Sequence, residues 1–221
     1  MQAMELFGEA MYDYHKGNLI GEMEIVMEDG TRYIDGVKWY FRDYKDFDSI
    51  EKTLFNNISG KSLLDIGCAT GYYFPEIEKR VENFEGIDIS KKAILVAQER
   101  GYKNVKVADI MNYKTNKKYD ILTLVGNNLS IGGTIEGTHK LIEILKGLLN
   151  NNGKMLCIFR KIEEEYFISK IRLEYKSIIS EPFYWIRIRI DLLENILNEH
   201  GLKLKILDEN DYGYCLEIKK I

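Results

Sequence analysis

The sequence predicts an α/β fold: a mostly parallel seven-stranded sheet with one antiparallel strand, plus β-rich cap segments. Three observations carry that reading. From about residue 60, short apolar runs alternate with amphipathic helical stretches, as βαβ units do. A glycine-rich turn, GCATG, follows the first of those runs. The last two apolar runs, LKLKIL and GYCLEIK, are separated only by the turn-rich DENDYG, a connection tight enough to reverse the final strand.

In order along the chain, Lys61–Ile66 (KSLLDI) reads as a buried strand, and a helix is predicted from Tyr72 to about Val81. Phe84–Ile89 (FEGIDI) is the second strand. Ser90 is then a natural N-cap for the helix KKAILVAQER, which Gly101 closes. The strands NVKVADI and Tyr119–Val125 follow, then the loop GNNLSIGGT, a helix from about Ile135 to Leu149, and the turn NNNG. Gly153–Phe159 is the fifth strand, and a helix from Asp191 to His200 precedes the final pair.

Two segments break this rhythm. Residues 1–58 form an N-terminal cap in this reading, and 59–221 form the main domain with an insertion at about 160–190. Asp29-Gly30, between the apolar runs of EIVMEDGTRYI, is a hairpin signal, and a short helix is expected around Ser49–Phe55. In FYWIRIRI the alternation sets Ile186, Ile188 and Ile190 on one face and Trp185, Arg187 and Arg189 on the other.

Composition narrows the functional classes. With 45% hydrophobic and 30% charged residues and two prolines among 221, the chain is a folded globule. Three cysteines, Cys68, Cys157 and Cys215, lack a C-x-x-C pair, which excludes a zinc ribbon and favours free thiols in a reducing cytosol. No metal site is expected. No run approaches the roughly 18 apolar residues of a membrane span, and the N-terminus lacks the features of a secretory signal. The expectation is a cytoplasmic protein with no membrane partner. The net charge is −4, and residues 1–58 hold twelve acids against six bases, which argues against tracking nucleic-acid phosphates.

The informative motif is LLDIGCATGYY. A strand that ends in glycines forms a concave loop of backbone N–H groups at the carboxyl edge of the sheet, where nucleotide-like ligands sit. Asp88 ends the second strand, where a carboxylate can accept from both ribose hydroxyls. Asp109 ends the third, placed to accept from an adenine amine beside Ile110. A dinucleotide fingerprint wants G-x-G-x-x-G. Here Asp65 stands two residues before Gly67, and Tyr72 occupies the place of the last glycine. A carboxylate there repels a pyrophosphate but suits a ligand carrying an ammonium and a sulfonium. The motif therefore favours S-adenosylmethionine over NAD.

With these motifs in this order, the chain resembles a class I S-adenosylmethionine-dependent methyltransferase of the small bacterial and archaeal type, with a Rossmann-like fold, from about Lys61 to the C-terminus. LLDIGCATG resembles the glycine-rich first motif, EGIDIS the ribose-binding strand end, VADI the adenine motif, YDILTLVGNN the fourth strand with its active-site loop, and GKMLCIF the fifth strand. The resemblance implies that Asp65, Gly67, Cys68 and Gly71 contact the methionine end of the cofactor. Asp88 and Ile89 would then hold the ribose and adenine, and Asp109 and Ile110 the adenine. Gly126, Asn127 and Asn128 would lie near the transferred methyl. Ala69 departs from the glycine frequent at its position.

The function expected is methyl transfer to an N, O or S nucleophile of a small molecule, leaving S-adenosylhomocysteine, by a monomer or homodimer. The loop Gly126-Asn127-Asn128-Leu129 has no proline, unlike amino-methylating nucleic-acid enzymes, so DNA is not expected as substrate. An RNA or protein acceptor, and a non-catalytic cofactor-binding module, stay open. His15, in Tyr12-Asp13-Tyr14-His15, is a candidate base. Tyr12, Tyr14, Tyr40 and Arg187 are candidate substrate contacts.

Overall fold

The computed structural model describes residues 1–221. The chain opens with helix α1 (Ala3–His15), then the hairpin β1 (Met23–Met27) and β2 (Arg32–Asp35). The hairpin turns at Asp29-Gly30 as predicted, with Gly30 at φ +85°. After two short 3₁₀ turns comes α2 (Ser49–Asn56), held by a reciprocal capping box between Asp48 and Glu51. The alternating unit follows: β3 (Gly60–Ile66), α3 (Phe74–Ile77), β4 (Val81–Asp88), α4 (Lys91–Glu99), β5 (Val105–Val107), β6 (Tyr119–Leu124), α5 (Ile135–Leu148) and β7 (Leu149–Arg160). The insertion supplies β8 (Tyr166–Tyr175), β9 (Ile178–Ile179) and β10 (Phe183–Ile188). Then α6 (Ile190–Glu199), β11 (Leu202–Glu209) and β12 (Gly213–Lys220) end the chain.

Seven strands make the main sheet in the order β11-β12-β7-β6-β3-β4-β5. Only β12 runs against its neighbours, as the tight final turn predicted. Adjacent apolar residues of β3 face opposite ways, so Leu63 joins one core layer with Phe55, Phe74 and Ile94, while Leu64 joins the other with Leu141, Leu145 and Leu193. Helices therefore cover both faces, as a parallel sheet requires.

A second sheet joins segments far apart in sequence. Its order is β10-β8-β1-β2, with β9 on β8, and β1 pairs antiparallel with β8 through Glu24↔Glu174 to Met27↔Ile171. Met23, Leu173 and Tyr175 from this sheet pack with Leu6, Ala10 and Met11 of α1 and with Ala69 of the glycine turn. The N-terminal hairpin and the insertion are thus one cap sheet, seated on α1 beside the carboxyl edge of the main sheet.

Three local expectations change. The helix predicted over Tyr72–Val81 shrinks to Phe74–Ile77, because Val81 already pairs with Gly60 as the first residue of β4. The strand NVKVADI keeps only Val105–Val107, since Asp109 instead caps a 3₁₀ turn over Ile110–Asn112. The NNNG turn is absorbed into β7 at a register irregularity against β6.

Candidate active site at the strand ends

The site is built where β3, β4, β6 and β7 end side by side. Asp65 lies in β3, 2% exposed, and its Oδ1 accepts from the Thr123 hydroxyl at 2.7 Å. Its Oδ2 receives no hydrogen bond from the protein. Burial pushes the carboxyl up to about 7; Thr123 pulls it back, and the Asp88 charge adds to the rise.

Beyond Ile66 the chain turns through Gly67 (φ +73°) and Gly71 (φ +69°), with Ala69 also left-handed at φ +48°. Gly67 N–H and Cys68 N–H both donate to the Ile87 carbonyl, at 2.8 and 3.0 Å, and Gly71 N–H donates to Cys68. Ala69 N–H donates to Asp88 Oδ2 at 2.9 Å. The expected cradle of free N–H groups is therefore mostly spent inside the protein. A pyrophosphate would lose those donors, whereas a cationic ligand does not need them. Cys68 itself is 2% exposed and packs in the core, where burial pushes its thiol pKa well up.

Asp88 ends β4 and accepts from Ser90 N–H at 2.8 Å as well as from Ala69. Each oxygen thus takes one backbone donor and keeps capacity for another. Burial raises its pKa, and these two bonds oppose the rise. Ile89, next in the chain, is 43% exposed beside it. Asp109 accepts from Met111 N–H at 2.9 Å and Asn112 Nδ2 at 2.6 Å, capping its 3₁₀ turn. Ile110 is 4% exposed and packs in the main core, not at an open edge as the sequence implied.

Gly126 follows β6 at φ +71°, and a Cβ built there meets nothing within 4 Å, so this strand end borders open space. Asn127 (φ +66°) donates to Ser130 Oγ at 2.6 Å and accepts from Arg160 N–H at 3.1 Å. Asn128 donates to the Ile66 carbonyl at 2.7 Å, tying this loop to the glycine turn. Both amides hold the loop together.

The structure separates the remaining candidates. Tyr40 lies against the glycine turn: its carbonyl accepts from the Thr70 hydroxyl, and its ring packs against Phe7 and Tyr72. His15 is drawn to the far end of α4. Helix α1 runs alongside α4, with Glu9 paired to Lys92 and His15 Nε2 to Glu99 at 2.9 Å. Nine helical residues place Glu99 about 13 Å from the Asp88 end of α4. Tyr14 packs on Phe41, and Tyr12 lies against Lys92 and Lys16. Composition alone does not reveal which end of α1 meets the strand ends.

Three residues of this region carried no sequence signal. Asp35 ends β2, half-buried, with no hydrogen-bond or ion-pair partner, and burial pushes it up to about 6. Thr123 is Asp65's register partner in β6. Arg160 ends β7 beside Asn127. Each depends on pairing between distant segments. His/Cys/Asp/Glu groupings that would hold a metal are absent, and no helix is long and apolar enough to cross a membrane.

Residues 57–201 match the model of a methyltransferase domain. The chain belongs to that family, an enzyme family of the class I S-adenosylmethionine-dependent fold. Among solved structures it is similar to an S-adenosylmethionine-dependent methyltransferase from Bacteroides fragilis in complex with S-adenosyl-L-homocysteine. That likeness is 22% identical with a TM-score of 0.88, over 100% of this chain and 97% of that one. A sugar N-methyltransferase from Streptoalloteichus shares the fold at 10% identity and TM-score 0.59, over 85% and 94%. By sequence the chain is 25% identical over 132 residues to a ubiquinone biosynthesis O-methyltransferase from Glaesserella parasuis. The match spans 54% of each, so about half the length of that curated relative is covered. The residues fit the cofactor: Asp65 keeps an unpartnered oxygen for an ammonium, and Gly126, just beyond β6, borders open space.

Proposed function

We propose that this protein transfers a methyl group from S-adenosylmethionine to an N, O or S nucleophile of a small molecule. The observation that carries the reading is the cap sheet, built onto the same cluster as Ala69 of the glycine turn. A cap fixed to the cofactor loop stands beside the strand ends, an arrangement that suits a small acceptor better than a polymer.

The cofactor supplies an activated methyl on a sulfonium, and the protein's share is alignment and exclusion of water. In this reading Asp65 holds the ammonium of the methionine end, Asp88 the ribose hydroxyls and Asp109 the adenine amine. Gly126 leaves room beside the transferred methyl. Asp35 takes the proton of the acceptor. It sits five residues before Tyr40, which is fixed on the glycine turn; burial first, then the Asp35 and Asp88 charges, push the Tyr40 phenol up. A carboxyl near 6 without a cationic partner is largely ionised at neutral pH and still basic enough to accept a proton.

Calorimetry with S-adenosylmethionine, S-adenosylhomocysteine and NAD tests the cofactor. The first two should bind and NAD should not. Labelled methyl should then move from the cofactor into the low-mass fraction of pooled metabolites. NAD binding alone, or label appearing only in RNA or protein, overturns the reading.

A further inference from the structure

Within the glycine turn, Thr70 alone bonds to other elements through its side chain. It is 0% exposed and stands between two left-handed residues, Ala69 and Gly71. Its amide is the one N–H from Gly67 to Gly71 that meets no acceptor in the protein. What holds residue 70 is therefore its carbonyl and its hydroxyl. Arg100, just past α4, donates Nη1 to both, at 3.1 Å each. The hydroxyl in turn donates to the Tyr40 carbonyl. Because Arg100 supplies one hydrogen to that oxygen, the hydroxyl's own proton is left for Tyr40.

Tyr40 belongs to the 3₁₀ turn Val37–Phe41, a strap that starts two residues after Asp35. A second hold comes from Arg42, whose guanidinium grips both carboxylate oxygens of Glu51 in α2, at 2.7 and 3.0 Å. That hold is on a helix; only Thr70 ties the strap to the glycine turn itself. On its other side, Ala69 N–H donates to Asp88 Oδ2 at 2.9 Å. Asp88, Ala69, Thr70 and Tyr40 thus form a continuous line from the end of β4 to the strap that follows Asp35. The left-handed Ala69 in the middle of that line persists only while its neighbours hold it. A ligand that engages Asp88 steadies one end, and the Thr70 hydroxyl carries that restraint to the other.

We propose that Thr70 is a positioning residue: its hydroxyl seats the strap, and with it Asp35, on the cofactor loop, so that the strap is held most firmly when the cofactor is bound. This rests on the methyl-transfer reading above for the roles of Asp88 and Asp35, and adds to it the means by which cofactor and base are set together.

Hydrogen exchange of the Val37–Phe41 segment, followed by mass spectrometry with and without saturating S-adenosylhomocysteine, tests it. Exchange there reports local opening, because Trp39 N–H is bonded to the Gly36 carbonyl within the strap. In the parent, S-adenosylhomocysteine should slow this exchange about fivefold or more. Thr70→Val keeps the branched shape but lacks the hydroxyl; it should cut the slowing to less than about twofold while calorimetry still shows S-adenosylhomocysteine bound. Thr70→Ser keeps the hydroxyl and should restore the slowing. A packing role predicts the reverse order, with valine retaining the effect and serine losing it. Arg100→Met, which leaves the hydroxyl unoriented, should at least halve the slowing. Exchange in β11 and β12 should stay at the parent's level in every variant. Should Thr70→Val fail to fold, serine and Arg100→Met decide: loss of the slowing in the first, or full slowing in the second, overturns the proposal. Slowing in Thr70→Val equal to the parent's also overturns it. So does a parent that binds S-adenosylhomocysteine with no change in the strap, a result that leaves the methyl-transfer reading standing. A parent that does not bind S-adenosylhomocysteine overturns both.

Discussion

Thr123 donates its hydroxyl to Asp65 at 2.7 Å across the seam between β6 and β3, where the two residues are register partners. That bond is the only one the buried carboxylate receives, and it does not offset burial: the carboxyl stands at about 7. The sign of the consequence follows from linkage. A carboxyl with a folded-state pKa above its unfolded value favours folding when protonated. Its contribution is complete below about pH 4 and is lost as pH rises towards 7, by at most about 1.4 kcal/mol per unit. Asp65→Asn should remove this dependence. Denaturant midpoints of parent and variant at pH 5 and pH 8 give the difference, and the parent should lose more on going to pH 8. Equal losses would mean that Asp65 ionises normally. A ligand with an ammonium at Asp65 should bind more tightly as pH rises through 7, releasing a proton from Asp65 below that point.

Asp88 does more than wait for a ribose. It accepts from Ala69 N–H and Ser90 N–H, so it ties the glycine turn to the start of α4. Asp88→Ala should therefore cost about 1–3 kcal/mol of stability, besides weakening S-adenosylhomocysteine about tenfold to a hundredfold. Asp88→Asn keeps one acceptor oxygen and should fall between parent and alanine in both measurements. Thermal unfolding and calorimetry on the three proteins check this. Undiminished S-adenosylhomocysteine affinity in the alanine variant would remove Asp88 from the ribose site.

Gly67 has a positive φ, and a Cβ there would overlap the Asn128 amide. Two costs combine: about 1–2 kcal/mol for a left-handed alanine, and displacement of the amide from the Ile66 carbonyl. Gly67→Ala should destabilise the protein and abolish most S-adenosylhomocysteine binding. Asn128→Ala removes the clash but frees the carbonyl. The double variant should thus be less destabilised than the sum of the singles, by about 0.5 kcal/mol or more. Strict additivity in urea titrations would show that the two residues do not meet.

The strand ends were legible because each motif is local. A strand, a glycine or acid at its end and a capped helix lie within a dozen residues, so Asp65, Asp88 and Ser90 can be placed without tertiary knowledge. The cap was legible only in pieces. The Asp29-Gly30 hairpin and the alternation around Ile186 each announce strands, but the pairing of Glu24–Met27 with Ile171–Glu174 joins segments about two thirds of the chain apart and leaves no local trace. Asp35, Thr123 and Arg160 escaped for the same reason, their setting being made by partners elsewhere. His15 shows the converse case. An acidic, aromatic run with a histidine resembles a site, yet the pairing of α1 with α4 carries it to the Glu99 end.

The cap supplies the last prediction, because it separates two sets of residues in the same segment. Asp35 is half-buried, unpaired and raised to about 6, and it precedes the turn that fixes Tyr40 on the glycine loop. Tyr12, Tyr14 and His15 are held instead by Lys92 of α4, by Phe41 and by Glu99 at the far end of α4. If Asp35 accepts the acceptor's proton, it must be ionised to work, so turnover should climb with pH through about 6 and level off above it. Asp35→Asn should lower kcat about a hundredfold, remove that rise, and leave S-adenosylhomocysteine affinity unchanged, because the cofactor is held by other strand ends. Alanine at Tyr12, Tyr14 and His15 together should lower thermal stability through lost packing and the lost ion pair, while turnover stays within about threefold. A pH profile unchanged in Asp35→Asn would exclude Asp35 as the base, and a large loss of turnover in the triple variant would return the outer end of α1 to the site.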